Sequence, residues 1–172
     1  GFLKQIQSFL NNKNNLLEIT NHYNNLIFYH KMVNYNKYFN IILIGCGNIG
    51  YRHLQALSNL NLPLNIILVE INNDNIKKCI DLLINKSNIK FKFYENSNDI
   101  LLDYIDLCII ATCSDIRLKL IKELINNNKI NYISNMMLEK IIFQSLDDFS
   151  EFEKLIKKYK NCNVFMSTFN KY

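Results

Sequence analysis

From Asn40 onward, nearly continuous apolar runs of strand length alternate with amphipathic stretches of helix length. The runs that predict strands are Ile41–Ile44, Ile66–Val69, the segment of Phe91, Phe93 and Tyr94, Leu107–Ala111, a weaker Tyr132–Ile133, and Asn163–Ser167. The stretches that predict helices are Tyr51–Leu60, Asp74–Asn85, Asp115–Asn126 and Ser145–Lys160. Apolar strands alternating with helices predict a mainly parallel sheet with both faces covered, and right-handed crossovers make a doubly wound α/β domain the simplest topology.

Residues 1–39 have a different pattern of apolar and polar residues from the rest of the chain. A short helical stripe that includes Phe2, Ile6 and Phe9 is followed by a polar break and by a second apolar segment, Leu16–Tyr29. We predict a helical leader over residues 1–39 and the α/β domain over residues 40–172. The sequence leaves open whether the leader packs on that domain or is the tail of a preceding one.

The net charge of +5 comes largely from scattered lysines. A nucleic-acid surface would instead group Lys and Arg on one face. The densest basic run, Lys154–Lys160, is interleaved with Leu155, Ile156 and Tyr159 at helical spacing, a pattern typical of a solvated helix face. We therefore predict no nucleic-acid partner.

Cysteine usage and hydropathy indicate a cellular compartment. The five cysteines form no C-x-x-C pair and no metal-ligand spacing with histidine, so we predict no metal site, and Cys108 within an apolar strand is interpreted as a buried thiol. Unpaired cysteines suit a reducing compartment, no apolar run approaches the ~20 residues that span a bilayer, and the first residues do not resemble a signal peptide. We predict a cytoplasmic protein without a membrane partner. The chain starts at Gly1 rather than at Met, which is typical of a fragment.

The first predicted strand runs directly into a G-x-G-x-x-G loop and then into a helix. In such a loop Gly45 permits a tight turn, Gly47 lets backbone approach a pyrophosphate, and Gly50 lets the helix lie close to the strand. The helix N-terminus presents N–H groups and the positive end of its dipole to the same anion. We predict that these glycines, with Asn48 and Ile49, bind the phosphates of a dinucleotide, as in a Rossmann domain.

An acidic residue stands at the tip of the second predicted strand, where the dinucleotide pattern requires one. Glu70 follows Gly50 at about 20 residues, and its carboxylate would accept hydrogen bonds from the ribose hydroxyls. It would also repel a 2′-phosphate, and no Lys or Arg follows until Lys77. The sequence therefore favours NAD over NADP as the cofactor, and the alternative is a surface glutamate at a strand end.

Residues 40–172 resemble the N-terminal domain of the Gfo/Idh/MocA oxidoreductases. The resemblance rests on the opening I-G-C-G-N-I-G-Y-R-H-L at Ile44–Leu54, on the fourth strand D-L-C-I-I-A-T at Asp106–Thr112, and on Leu138-Glu139-Lys140, which is similar to the family's Glu-Lys-Pro motif. The final segment, Val164–Tyr172, is similar to the strand that leaves that domain.

The resemblance implies the roles of four residues at the site. Ala111 and Thr112 would edge the cofactor together with Glu139, and Lys140 would lie beside the nicotinamide and the substrate. Lys140 would then assist proton transfer at a hydroxyl or carbonyl while hydride passes to or from the nicotinamide. The resemblance also implies a small carbohydrate-like substrate, such as a sugar or nucleotide sugar. His53, in the first turns of the helix after the glycine loop, is interpreted as a packing or solvated residue.

Several positions depart from the family pattern. Ile141 stands in place of the motif's proline, Cys113 and Ser114 stand where prolines are frequent, and Arg117 stands where a histidine is frequent. The run Leu138–Ser145 resembles a branch associated with surface-polysaccharide biosynthesis. The family's second, substrate-binding domain has no counterpart in the sequence, so we expect these 172 residues alone to bind cofactor with little turnover. The expected partners are a separate C-terminal substrate domain, which would complete the site, or other copies of the chain in a homo-oligomer.

Two other function classes stay open from the sequence. The first is a non-catalytic nucleotide-binding or regulatory module, because a Rossmann domain can bind NAD without doing chemistry. The second is a Rossmann domain of another use, such as an NAD-sensing channel subunit or an S-adenosylmethionine methyltransferase. Ala111-Thr112 and Glu139-Lys140 argue against the second class, and Ile49 argues against the G-x-G-x-G loop that is usual in methyltransferases.

Overall fold

The computed structural model describes residues 38–101 and 104–167 of the chain. In these ranges six strands form one fully parallel sheet in the order β3-β2-β1-β4-β5-β6. The strands are β1 (Phe39–Ile44), β2 (Leu64–Val69), β3 (Ile89–Tyr94), β4 (Leu107–Ile110), β5 (Asn135–Leu138) and β6 (Asn163–Met166). The α-helices are α1 (Asn48–Ser58), α2 (Asn73–Leu83), α3 (Ser114–Asn126) and α4 (Leu146–Ile156), with 3₁₀ turns at Ser97–Asp99 and Lys129–Tyr132. The predicted leader lies almost entirely outside the described residues.

Alternation along the central strands builds a core on each face of the sheet. Ile41 and Leu43 of β1 belong to the apolar cluster that contains Leu54 of α1, whereas Ile42 and Ile44 belong to the opposite cluster. The opposite cluster includes side chains from α3 and α4, and the first includes side chains from α1 and α2. Because both faces of β1 are covered, the strand is apolar at every position from 41 to 44.

The alternating pattern predicts the described fold correctly: a doubly wound, mainly parallel α/β sheet. Five of the six strands coincide with predicted runs, with shifts of one or two residues at their ends. The first helix begins at Asn48, three residues before the predicted start, because the last part of the glycine loop is already helical. The last helix ends at Ile156 rather than at Lys160.

The predicted fifth strand at Tyr132–Ile133 is wrong. Tyr132 closes a 3₁₀ turn that follows Asn128 in the left-handed conformation, and the strand lies at Asn135–Leu138. Asn135 fits inside the sheet because its amide is hydrogen-bonded on both sides: Nδ2 donates to the carbonyl of Asp106 at 2.8 Å, and Oδ1 accepts from Asn163 at 3.3 Å. A polar residue satisfied in this way breaks the apolar pattern without breaking the strand.

Charged and sulfur-containing side chains occupy the positions that the pattern predicts. The lysines of the basic run are exposed, whereas Leu155, Ile156 and Tyr159 are partly buried. Cys108 is fully buried in β4, and burial raises the pKa of its thiol.

Within the described residues, no helix is long and apolar enough to cross a membrane, and no cluster of three or more His, Cys, Asp or Glu side chains could hold a metal ion.

Candidate functional site

The carboxyl ends of four adjacent strands bring the predicted site residues to one edge of the sheet. β1 pairs with β2 on one side and with β4 on the other, although β4 is not its neighbour in sequence. This reversal of strand order is the topological switch point at which doubly wound sheets bind their ligands. Hydrogen bonds continue past the strand ends, from Gly45 N to the Val69 carbonyl and from Ala111 N to the Ile44 carbonyl, both at 2.9 Å.

Two glycines of the loop are required by its geometry. Gly45 has a φ of +87°, and a Cβ there would lie 2.9 Å from Cγ2 of Thr112. A Cβ on Gly50 would lie 1.9 Å from the carbonyl oxygen of Gly45, so any side chain would force α1 away from β1. The sequence-based roles of Gly45 in the turn and Gly50 in close packing therefore have a direct steric basis.

The space above the N-terminus of α1 suits an anion. A Cβ built on Gly47, the N-cap residue, would meet nothing within 4 Å. No side chain caps the helix there and no acidic residue lies in its first turn, while Asn48 and Ile49 are exposed. The hydroxyl oxygen of Thr112, beside Gly45, is buried without a hydrogen-bond partner in the described structure. Open backbone, the helix dipole and an unsatisfied hydroxyl fit the phosphate end of a dinucleotide.

Glu70 holds the glycine loop and the turn after β2 together. Its Oε2 accepts from the backbone N–H of Cys46 at 2.7 Å and from the side-chain amide of Asn75 at 3.3 Å. Its Oε1 accepts from the N–H groups of Ile71 and Asn72, both at 2.9 Å. The sequence predicts Glu70 as a ribose ligand but gives no sign of this second, structural task.

Thr112 and Lys140 follow neighbouring strands. Leu138 of β5 pairs with Ile110 of β4, and the N–H of Glu139 continues the ladder to the Ile110 carbonyl. Lys140 is exposed at this edge, immediately after the buried Glu139. The fold thus brings the Ala-Thr and Glu-Lys segments next to each other, although they are separated by α3 in the sequence.

A buried hydrogen bond joins the helix of the glycine loop to the segment that carries Lys140. His53 of α1 and Glu139 are both almost fully buried, and His53 Nε2 lies 2.6 Å from Glu139 Oε1. Burial would raise the pKa of Glu139, but hydrogen bonds from His53, Ser167 and the Lys140 backbone together with the His53 charge lower it below its ordinary value of 4.5. The histidine, interpreted from the sequence as packing or solvated, is packed, and its position three residues after Gly50 is the only sequence signal for this pair.

The sequence model of a family described as "Oxidoreductase family, NAD-binding Rossmann fold", Gfo/Idh/MocA, matches residues 39–168. The chain belongs to this family. A comparison with curated proteins gave no match.

Among solved structures, the chain is similar to the transcriptional regulator Gal80p from Kluyveromyces lactis, with a TM-score of 0.58 and 11% sequence identity. The similarity covers 76% of this chain but only 33% of the Gal80p chain, so the chain spans about a third of that protein's length. At this identity the likeness shows a shared fold.

Two departures from the family pattern lie at the Lys140 segment of this Gfo/Idh/MocA domain. Ile141, in the position of the motif's proline, is 74% exposed, and the peptide between Lys140 and Ile141 is cis. Arg117, at the position where a histidine is frequent, is buried against the same segment. The sequence identifies Arg117 only as a departure, and a lone arginine on an amphipathic helix gives no indication of burial.

The lowered pKa of Glu139 makes a testable contribution to stability. Because the folded-state pKa lies below the unfolded value near 4.5, the ionised carboxylate stabilises the fold above that pH, and the gain is lost as the pH falls through the folded pKa. We expect Glu139→Gln to lower the free energy of unfolding at pH 7 by about 1.5–3 kcal/mol, the range for hydrogen bonds to charged groups. Urea unfolding from pH 7 to pH 3 should show this difference shrinking below pH 4.5. The exposed Glu95→Gln serves as the control, and a difference independent of pH would contradict the assignment.

Proposed function

We propose that this domain binds NAD and forms the cofactor half of an oxidoreductase that moves hydride between the nicotinamide and a hydroxyl or carbonyl of a sugar or nucleotide sugar. The observation that supports this most is the convergence of three segments at adjacent strand ends: the glycine loop after β1, Ala111-Thr112 after β4 and Glu139-Lys140 after β5. The binding positions for the phosphates and for the nicotinamide would then lie in one crevice with the ionisable side chain of Lys140.

Each segment would make a different contribution to binding. The backbone at Gly47 and the N–H groups at Asn48 and Ile49 would hold the pyrophosphate, as the exposed, uncapped start of α1 favours. Glu70 would accept from the ribose hydroxyls. Because its four lone-pair positions already accept hydrogen bonds, a ribose hydroxyl would displace the weakest donor, the 3.3 Å side-chain amide of Asn75.

When bound, NAD would supply the hydride chemistry, and a side chain of this protein would move the proton. Lys140 would give a proton to, or take one from, the reacting oxygen of the substrate, and Ala111 and Thr112 would form the edge against which the nicotinamide lies. We propose further that a second folded unit, a separate substrate domain or another copy of the chain, covers this edge and holds the substrate, and that the protein works in the cytoplasm.

Two measurements test this function. Titration of NADH fluorescence with the 172-residue chain should show saturable binding. NAD reduction followed by absorbance should show little turnover by this chain alone, and turnover with at least one member of a panel of hexoses, hexuronates and nucleoside-diphosphate sugars once a family-type C-terminal substrate domain is fused after Tyr172. Absence of NADH binding would refute the cofactor assignment.

Cofactor choice should depend on Glu70. We expect the chain to bind NADH at least ~10-fold more tightly than NADPH, a difference of ~1.4 kcal/mol, because the carboxylate repels the 2′-phosphate. Glu70→Gln keeps an oxygen acceptor for the Cys46 N–H but removes the charge, so the ratio of the two affinities should fall towards one. A general loosening of the glycine loop would weaken NADH and NADPH binding alike, so it would not change the ratio of the two affinities. Asp74→Asn, which changes the same charge on an exposed residue nearby, is the control, and an unchanged ratio in Glu70→Gln would remove Glu70 from cofactor selection.

A regulatory module is the second candidate. The similar structure of Gal80p is described as a transcriptional regulator, so this fold also serves a regulator. Lys140 would then have no proton to transfer. Saturable NADH binding without turnover on any substrate of the panel, even by the chain fused to the substrate domain, would favour this candidate over the oxidoreductase.

A further inference from the structure

Arg117 is buried at the edge of the sheet where the candidate site lies. It belongs to the first turns of α3, and its side chain is 2% exposed, which is rare for arginine unless its charge and donors are satisfied. Lys119, two residues later on the same helix, is exposed. The helix therefore turns one cation into the protein and the other out to solvent.

The guanidinium connects the end of β4 to the segment after β5. Nη2 donates to the carbonyl of Thr112, and Nη1 donates to the carbonyl of Glu139, to that of Ile141 at 2.7 Å and to that of Ile142 at 2.9 Å. In the described structure all of the hydrogen-bond partners of its two Nη atoms are backbone carbonyls, and Nε is buried without a partner. The three Nη1 acceptors come from the residues that surround Lys140 in the sequence.

Only an arginine fits this arrangement. Its planar fork carries donors in fixed directions, whereas a lysine ammonium is a compact charge on a flexible stem. Without the cation, the partial negative charges of four converging carbonyls would repel one another in a partly buried site. The buried charge is balanced by the nearby Glu139 carboxylate, which opposes the lowering of the Arg117 pKa by burial.

We propose that Arg117 is a positioning residue: it fixes the backbone from Glu139 to Ile142 and thereby the direction in which Lys140 projects over the cofactor edge. This inference rests on the proposed role of Lys140 in proton transfer. His53 of α1 holds the Glu139 carboxylate at 2.6 Å. The segment is therefore held through the Glu139 side chain by His53 and through its backbone carbonyls by Arg117. A lysine on a segment held from two sides needs no loop rearrangement to reach a substrate oxygen.

The test compares Arg117→Met, which preserves length without donors, with two controls on the same helix. Lys119→Met removes an equal charge at the surface, and Leu124→Ala removes buried apolar volume, so it lowers stability without removing a hydrogen bond to the segment. Each variant is examined by amide hydrogen exchange and NADH titration in the 172-residue chain, and by steady-state kinetics in the chain fused to the substrate domain. Exchange at residues 139–143 should rise at least ~10-fold in Arg117→Met, and kcat should fall ~10- to 100-fold, the cost of displacing a catalytic group by about 1 Å. NADH affinity should fall less than kcat, because the glycine loop and Glu70 follow β1 and β2, whereas Arg117 contacts the cofactor edge only through the carbonyls of Thr112 and Glu139 in the described structure.

The outcomes separate the possibilities. If exchange and kcat in Arg117→Met change no more than in Leu124→Ala, Arg117 only stabilises the fold and the proposal is overturned. If Arg117→Met does not fold, Arg117→Lys, which keeps the charge but not the fork, is measured against the same controls and the same criteria apply. The exchange measurement is independent of turnover, so a fused chain without catalysis would refute the function of Lys140 while still deciding whether Arg117 holds its segment.

Discussion

Gly50→Ala should destabilise the domain by ~3 kcal/mol or more, the upper part of the range for overpacking. The added Cβ would lie 1.9 Å from the Gly45 carbonyl oxygen, and the obstacle is backbone rather than the end of a flexible side chain. Relief requires α1 to move away from β1, which also withdraws the helix N-terminus from the phosphate position. Urea unfolding measures the stability, and NADH titration should show that binding is lost in the same variant.

Gly47→Leu is the matched partner of that substitution, since the two glycines lie three residues apart in one loop. A side chain at Gly47 meets no neighbouring atom, so stability should change by less than ~1 kcal/mol while NADH affinity falls ~100-fold or more through occupation of the pyrophosphate position. Comparing the two variants thus distinguishes an effect on the stability of the fold from a direct effect on NADH binding. A stable, NADH-binding Gly50→Ala would show that α1 does not lie this close to β1, and normal NADH binding by Gly47→Leu would place the phosphates elsewhere.

The fold was predictable because its central strands are buried on both faces. The side chains of Ile41 to Ile44 point alternately to the two faces of the sheet and are all buried. Polar residues are excluded from both faces, and a continuous apolar run of this kind predicts a strand of a parallel sheet. β5 escaped prediction because its residues, Asn-Met-Met-Leu, carry no β-branched side chain. Its strand conformation depends on pairing with β4 and β6 and on the amide bonds of Asn135, which are contacts distant in sequence.

The candidate site divides in the same way between local and distant information. The glycine loop is a local motif, and its steric logic could be inferred from spacing alone. The partners of Glu139 could not, because His53 lies 86 residues away and Arg117 lies 22 residues away on another element. Glu70 was placed correctly at a strand tip, but its four protein donors depend on the turn after β2 and on the loop across the switch point. Sequence spacing identifies what can bind a cofactor, and the packing between elements determines how firmly each ligand is held.

Lys140→Ala should lower kcat of the chain fused to the substrate domain by ~10²- to 10⁴-fold, the contribution typical of a positioned general acid or base. The measurement uses the substrate of highest rate in the sugar panel, at saturating NAD. NADH affinity should stay within about twofold of wild type, because the phosphate and ribose ligands belong to β1 and β2 whereas Lys140 follows β5. A loss confined to kcat identifies an interaction made in the transition state rather than in cofactor binding.

The conservative variant Lys140→Arg decides what the lysine does. Arginine keeps the positive charge but does not release its proton in proteins, so a role in proton transfer predicts that Lys140→Arg is nearly as impaired as Lys140→Ala. If the charge alone stabilises a developing oxyanion, Lys140→Arg should recover a large part of kcat, and proton transfer must be assigned to another group. Lys119→Ala, an exposed cation on α3, controls for a general loss of positive charge. Unimpaired turnover in Lys140→Ala would mean that the Glu139-Lys140 segment only resembles the family motif, and the crevice would then keep its cofactor role without a catalytic lysine.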